Sequence, residues 1–334
     1  FSAITRDAQG HYLAWAGFIE PGLGRSALVG VRTDTGAVIW EDLSRYGEGK
    51  VTFAKGADGN LYVYAGNPAH FFRYDVARGK LDDLGVPVKR ANYFAPGALA
   101  TDGKFYVGSY PTASLVCCDT RTGRIENLGR MPTDARQYYV YPSVAVSNDL
   151  VVYCPVGLHH KELWAYDTRT GVKRQILPEA LTQSQGSPRG WQAADGRVYG
   201  QAGGSVFHCR PDGVEMGRTA PAKGNPPLKA GDKIVGSIAA DGSLALTDSH
   251  SGQISRLATD YEGRRARIFS VGCERDGVIY GSSALPGHSF SYDTRTGRLS
   301  DLGIIDSGKC QVYDTVSVRQ GLFLCSYFGA HVDF

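Results

Sequence analysis

The chain has 334 residues, of which 42% are hydrophobic and 21% charged, and its net charge is only +3. That balance supports a packed core and excludes a disordered chain; the even scatter of charge excludes a nucleic-acid footprint. No apolar run reaches the ~18 residues that a membrane-spanning helix needs. Forty-three glycines and 19 tyrosines, together with Val and Thr, describe short strands joined by tight turns. The chain opens at Phe1 with neither a charged n-region nor an apolar h-region. This predicts a processed chain, secreted or periplasmic, whose signal peptide has been removed.

The first element is a hairpin, SAITRDAQGHYLAWAG (2–17), and a second turn follows at TDTGAVIWEDL (33–43). The pair then recurs. Inner hairpins of the type FAKGADGNLYVYAG (53–66) return at 95–110, 142–155, 190–203, 236–248, 271–283 and 316–327. Outer turns of the type YDVARGKLDDLG (74–85) return at 118–129, 166–177 and 292–303, with degenerate copies at 209–217 and 248–257. PAHFFRYDVARGKLDDLG (68–85) and PGHSFSYDTRTGRLSDLG (286–303) agree at ten of eighteen positions. Asp34, Asp75, Asp119 and Asp167 are spaced by 41, 44 and 48 residues, and Asp293 follows Asp167 by 126, three periods of 42. At each outer turn the Asp carboxylate can bond the backbone two residues on, and the Gly takes the positive φ.

Two hairpins in about 42 residues make a four-stranded unit of the length of a propeller blade. One such sheet cannot bury both faces alone, and radial packing on its neighbours solves that. The sequence therefore predicts an all-β fold, a β-propeller occupying residues 1–334 as a single domain. Eight inner hairpins but seven outer turns predict eight blades with the last incomplete; the alternative is seven, with one blade shared by the termini. Seven cysteines (Cys117, Cys118, Cys154, Cys209, Cys273, Cys310, Cys325) form no CxxC and sit in apolar strand patterns. They read as small core residues.

With strands named a to d from the axis outward, the b–c and d–a loops share one face. The b–c loops AGNPAH (65–70), SYPTAS (109–114), CPVGLHH (154–160), TDSH (247–250), SALPGH (283–288) and YFGAH (327–331) hold six of the eight histidines. These are His70, His159, His160, His250, His288 and His331. The d–a loops add Arg90, Arg136 and Arg189, and the inner strand starts add Tyr93, Tyr138, Tyr139, Tyr141 and Trp191. Arginine can hold a carboxylate through two parallel bonds, aromatic rings can stack on sugar faces, and His with Tyr can move protons near neutral pH. The bland reading stands beside this one: His70, His288 and His331 share one place in the repeat, where each caps the start of strand c. Nothing in the sequence requires a cofactor. A divalent metal (Zn, Mn or Ca) is compatible with converging imidazoles, although no HxH or HxxxH spacing calls for one.

The YDxxTGxxxxLG blade with its AxxDGxxYxGxYP hairpin resembles repeats of bacterial carbohydrate-active propellers. Among these are propeller polysaccharide lyases of the ulvan, oligogalacturonate and rhamnosyl-glucuronate types. The resemblance implies β-elimination beside a uronate in an anionic polysaccharide or oligosaccharide. On that reading Arg189 neutralises the carboxylate, His160 is the base and Tyr141 the acid. His70, Arg90, Tyr93, Tyr110, Tyr139, Trp191, His288 and His331 then line the subsites. The alternative is a non-catalytic propeller that binds a glycan or a protein.

Overall fold

In the computed structural model the described residues are 1–20, 25–47, 49–91, 93–94, 96–140, 143–219, 221, 226–239, 241–260, 267–284, 287–305, 311–327 and 332–333. Eight antiparallel sheets follow one another along the chain as β-propeller blades, each a meander of strands adjacent in sequence. Blades 1 to 8 span residues 3–42, 52–85, 93–130, 139–175, 189–216, 229–258, 267–304 and 311–333. The eighth has three strands among the described residues. In blades 3 and 4 the inner strand comes in two short pieces, Tyr93–Phe94 with Ala98–Leu99, and Tyr139–Val140 with Ala145–Val146. No helix is long and apolar enough to cross a membrane.

The chain divides into two compact units, residues 1–261 and 262–334. In the first unit, core lies between blades rather than within them. Trp15 and Leu28 of blade 1 meet Val63, Phe72 and Tyr74 of blade 2, while Tyr62 and Phe71 of blade 2 meet Phe105 and Val116 of blade 3. Tyr106 and Cys117 then meet Val152, Cys154 and Trp164 of blade 4, and Tyr153 and Leu163 meet Val198, Phe207 and Cys209 of blade 5. Because both faces pack, strands such as Leu61–Gly66 and Val151–Gly157 are buried along their whole length, which is why they read as continuous apolar runs.

Blade 6 returns to blade 1. Val235, Leu244 and Leu246 pack on Ile4, Ala14 and Val31, and the Asp260 amide donates to the Gly36 carbonyl at 3.1 Å. A Cβ at Gly36 would stand 1.9 Å from the Ala258 carbonyl oxygen, so only glycine permits this approach. The repeat counts blades but does not say which pair meets when the first unit turns back on itself. In the second unit the inner strands of blades 7 and 8 meet where Gly272 faces the Thr315 side chain, with Ile305, Val312 and Leu324 beside each other.

The outer turns form as their chemistry requires. Asp167 accepts from the amides of Arg169 and Thr170 at 2.9 and 3.4 Å, and Asp293 from Arg295 and Thr296 at 2.9 and 3.2 Å. These backbone bonds hold both carboxyls below their usual 3.8. Both therefore stay ionised in the folded chain to a lower pH than in the unfolded chain. They stabilise above about pH 4, and the contribution is lost as the pH falls through the folded value. Asp167→Asn with Asp293→Asn keeps an acceptor oxygen but removes the charge. The double variant is expected to show a shallower loss of stability below about pH 4 than the parent in circular-dichroism titrations.

Two sequence assignments change. In blade 6 the strands are Lys229–Ala230, Lys233–Ile238, Ser243–Asp248 and Ile254–Ala258, so the 236–248 hairpin joins strands b and c instead of a and b. His250 accordingly lies in the c–d turn, its amide on Asp248 at 3.1 Å, and leaves the b–c loop set. Cys117, Cys118, Cys154 and Cys209 are buried as expected, but Cys325 is exposed, on the b strand Gly321–Tyr327 of the three-stranded blade. Burial pushes the Cys117, Cys118 and Cys209 thiols up to about 12. Cys310 and the Cys273 side chain lie outside the described residues.

Candidate functional site

The b strand Lys104–Tyr110 of blade 3 and the b strand Val151–Gly157 of blade 4 end on the same loop face. Between them runs the d–a connection 131–138. It is shaped by Arg130, whose guanidinium donates to the carbonyls of Thr112 at 3.1 Å, Asp134 at 2.8 Å, and Gln137. Gln137 is fully buried. Its amide nitrogen donates to the His160 carbonyl at 2.5 Å, and its oxygen accepts from the His159 amide at 3.3 Å. One glutamine thus pins the loop that presents both histidines.

His160 is oriented by a carboxylate. Its Nε2 stands 2.7 Å from Glu162 Oε1, while the Trp164 indole donates to Glu162 Oε2 at 2.6 Å. Glu162 is only 6% exposed and, as a carboxylate, can only accept. In the neutral imidazole the proton therefore sits on Nε2, facing Glu162, and the lone pair on Nδ1. Nδ1 has no hydrogen-bond partner among the described residues. On the outer side of the loop Arg136 grips Asp134 at 2.8 Å. That pairing, an amide bond and the nearby His160 hold the Asp134 carboxyl below its usual range.

Aromatic rings adjoin the histidines. Tyr110 packs against Tyr138 at 5.6 Å and edge-on against Tyr139 at 5.0 Å, and Tyr138 meets His159 at 6.4 Å. The strip Tyr139–Tyr110–Tyr138–His159 is partly exposed along its length. Arg189 opens the a strand Arg189–Gln192 of blade 5. It follows a segment joined to the histidine loop by a Leu158–Gly186 bridge and by Lys161 Nζ donating to the Gln185 carbonyl at 3.0 Å. Its guanidinium is exposed and makes no ion pair among the described residues. Trp191, two residues on, lies on the same side of that strand and is partly buried.

The structure thus brings His160, Tyr110 and Tyr139 into one locality, with Arg189 and Trp191 on the neighbouring blade. The other candidates fall elsewhere. His70 Nδ1 stands 3.0 Å from Asp83 across strands c and d, with its ring stacked on Phe72 at 5.6 Å. His288 repeats the pair with Asp301, at 2.9 Å, in the second unit. Each aspartate also accepts the amide of the glycine two residues on, Gly85 and Gly303, at 2.8 Å. Each of these imidazoles pairs through Nδ1 with an aspartate of its own sheet, away from the blade 3–4 loops. Arg90 is exposed in the loop after blade 2. Tyr141, His331 and the Tyr93 side chain lie outside the described residues. Among the described residues no three His, Cys, Asp or Glu side chains come together as a metal would require.

Sequence reasoning missed Gln137 and Glu162. Glu162 does leave a signal, as a carboxylate at the head of the apolar run LWAY of a c strand. Gln137 leaves none, because its partners are 22 and 23 residues away.

No family model and no curated protein matches the chain. Among solved structures it is similar to a catalytically inactive virginiamycin B lyase from Staphylococcus aureus with quinupristin, at 10% identity over 94% of this chain and 96% of that one (TM-score 0.43). It is similar to Saccharomyces cerevisiae Sqt1 at 10% identity over 97% and 96% (TM-score 0.40). A puromycin hydrolase matches at 15% identity over 97% of this chain and 57% of the hydrolase (TM-score 0.39). Two of these three neighbours are enzymes by name, and none is named as acting on a polysaccharide.

Proposed function

We propose that the chain is a polysaccharide lyase that cleaves a uronate-containing glycan by β-elimination on the loop face of blades 3 to 5, outside the cytoplasm. The observation that carries the reading is His160, held by Glu162 through Nε2 and, among the described residues, without a hydrogen-bond partner at Nδ1. In the proposed step Nδ1 takes the proton α to the uronate carboxylate. The electron pair forms the new carbon–carbon double bond, and the β carbon–oxygen bond breaks. Tyr141 returns a proton to the departing oxygen. The exposed guanidinium of Arg189 neutralises the carboxylate and so acidifies the α proton. Tyr110, Tyr138, Tyr139 and Trp191 give the sugar rings faces to stack on.

The test is the ultraviolet absorbance of an unsaturated uronate while the protein is incubated with ulvan, oligogalacturonate, glucuronan and rhamnose-capped glucuronides. A rise that vanishes in Arg189→Ala is expected. A flat trace across the panel overturns the catalytic reading and leaves the aromatic strip as a glycan-binding surface.

A further inference from the structure

The inner strands of blades 1, 2, 3 and 6 enclose a recess of about 640 Å3 in the first unit. It opens where strands a and b turn, the face opposite the histidine loops. Its charged lining is of one sign. Arg6 and Lys55 end the a strands Ala3–Arg6 and Thr52–Lys55 of blades 1 and 2, and Lys229 begins that of blade 6. No carboxylate is among the described lining residues.

The carboxylates nearest Arg6 and Lys55 in sequence are engaged elsewhere. Asp7 accepts from Arg32 at 2.8 Å and from the His11 and Gln9 amides at 2.9 and 3.0 Å. Asp58 accepts from the Asn60 side chain at 2.8 Å and from the Tyr62 hydroxyl at 3.1 Å. Arg6 lies 4.3 Å over the Tyr12 ring and donates to its hydroxyl, which fixes its direction without neutralising it. Lys55 and Lys229 are exposed and form no ion pair among the described residues. Three cations around one concavity, with no ion pair to a carboxylate among the described residues, raise the local concentration of anions.

Beside the hydroxyls of Ser2, Thr5 and Tyr12, the remaining wall is largely apolar. Phe53, Leu99 and Pro227 line it, and they offer flat or aliphatic surface rather than hydrogen bonds. A recess of this size, apolar with a few convergent charges, has the make-up of a small-ligand site. A bare inorganic anion would use the charges and leave that wall idle. A chain of acidic sugars uses both.

We propose that this recess binds an acidic oligosaccharide, with its carboxylates on Arg6, Lys55 and Lys229 and its ring faces on Phe53, Leu99 and Pro227. The choice of a uronate ligand rests on the lyase reading, but the placement does not. The site holds the glycan away from the bond that is cut.

The experiment is calorimetric titration of the full chain, carrying His160→Asn to prevent turnover, with a glucuronate trisaccharide and with a neutral glucose trisaccharide. Two acidic-sugar sites per chain are expected. One should weaken roughly tenfold in Lys55→Ala with Lys229→Ala, and the other in Arg189→Ala. Both lysines are exposed, so their truncation leaves the core intact, and Arg6 is kept because it stacks on Tyr12. Unchanged binding in the lysine variant overturns the proposal, as does equal binding of the neutral sugar or loss of all binding in Arg189→Ala. Failure of the lyase reading shows differently: no unsaturated product forms, whichever side chains bind sugar.

Discussion

Glu162→Gln is expected to lower the rate of uronate elimination roughly a hundredfold or more while leaving the fold intact. A glutamine has one acceptor oxygen and one donor amide. The Trp164 indole can only donate and takes the oxygen, so the amide must face His160. The imidazole then has to offer its lone pair at Nε2 and carry its proton on Nδ1, the nitrogen that the mechanism needs free. His160→Asn removes the base itself and is expected to cost on the order of a thousandfold. Initial rates of unsaturated-uronate formation measure both, with circular dichroism as the control for folding. If Glu162→Gln turns over like the parent, His160 is not the base. If both variants lose activity yet bind the glucuronate trisaccharide unchanged, the losses belong to the chemical step.

The largest effect on stability is expected at Trp15. Its ring is fully buried between blades 1 and 2, edge-on to Tyr74 at 5.1 Å, and its indole donates to Thr5 Oγ1 at 2.7 Å. Trp15→Ala removes that packing and strands the threonine, at a cost of about 4 kcal/mol. The ring lies across its strand partner Gly30, where a Cβ would stand 2.7 to 2.9 Å from three ring atoms. Gly30→Ala should therefore cost about 2 kcal/mol through overpacking. In the Trp15→Ala background the same methyl enters vacated space and should cost little. Urea midpoints of the parent, both single variants and the double variant close this cycle. Additive costs would mean that the ring and the glycine are not coupled. Gly200 with Phe207 and Gly281 with Phe290 repeat the arrangement in blades 5 and 7.

The parts of the fold legible in the sequence are those written in short range. Asp with Gly at each outer turn fixes a local hydrogen-bond pattern, and strand alternation fixes which residues face a neighbouring blade. Local chemistry also explains the slip at blade 6. Asp58, Asp102, Asp195 and Asp241 each accept the amide two residues on, at 2.9 to 3.1 Å. In three of these blades that turn joins a to b, while in blade 6 it joins b to c, because the inner strand there has two residues and shows no periodicity. The site divides the same way. His160 and Tyr139 stood out by residue type and loop class, and His70 and His288 looked alike to them. What separates the pairs is the third side chain. Asp83 and Asp301 belong to the repeat, whereas Glu162 and Gln137 depart from it and gain meaning only through contacts between loops.

The return of blade 6 to blade 1 also sets an order of assembly. Every other interface named in the first unit joins blades that follow one another along the chain, about 42 residues apart, whereas Ile4 and Leu246 are more than 200 residues apart. Loop-closure entropy grows only with the logarithm of length, so this clasp costs roughly 1.5 kcal/mol more to form than a neighbouring contact. Such a penalty is small for equilibrium stability but places closure late in folding, after the local sheets have zipped. The clasp then joins the two ends of a row of sheets, each stabilised only by packing on its chain neighbours, into one closed unit. Truncating Ile4 or Leu246 would loosen the ends of that row while leaving its middle folded.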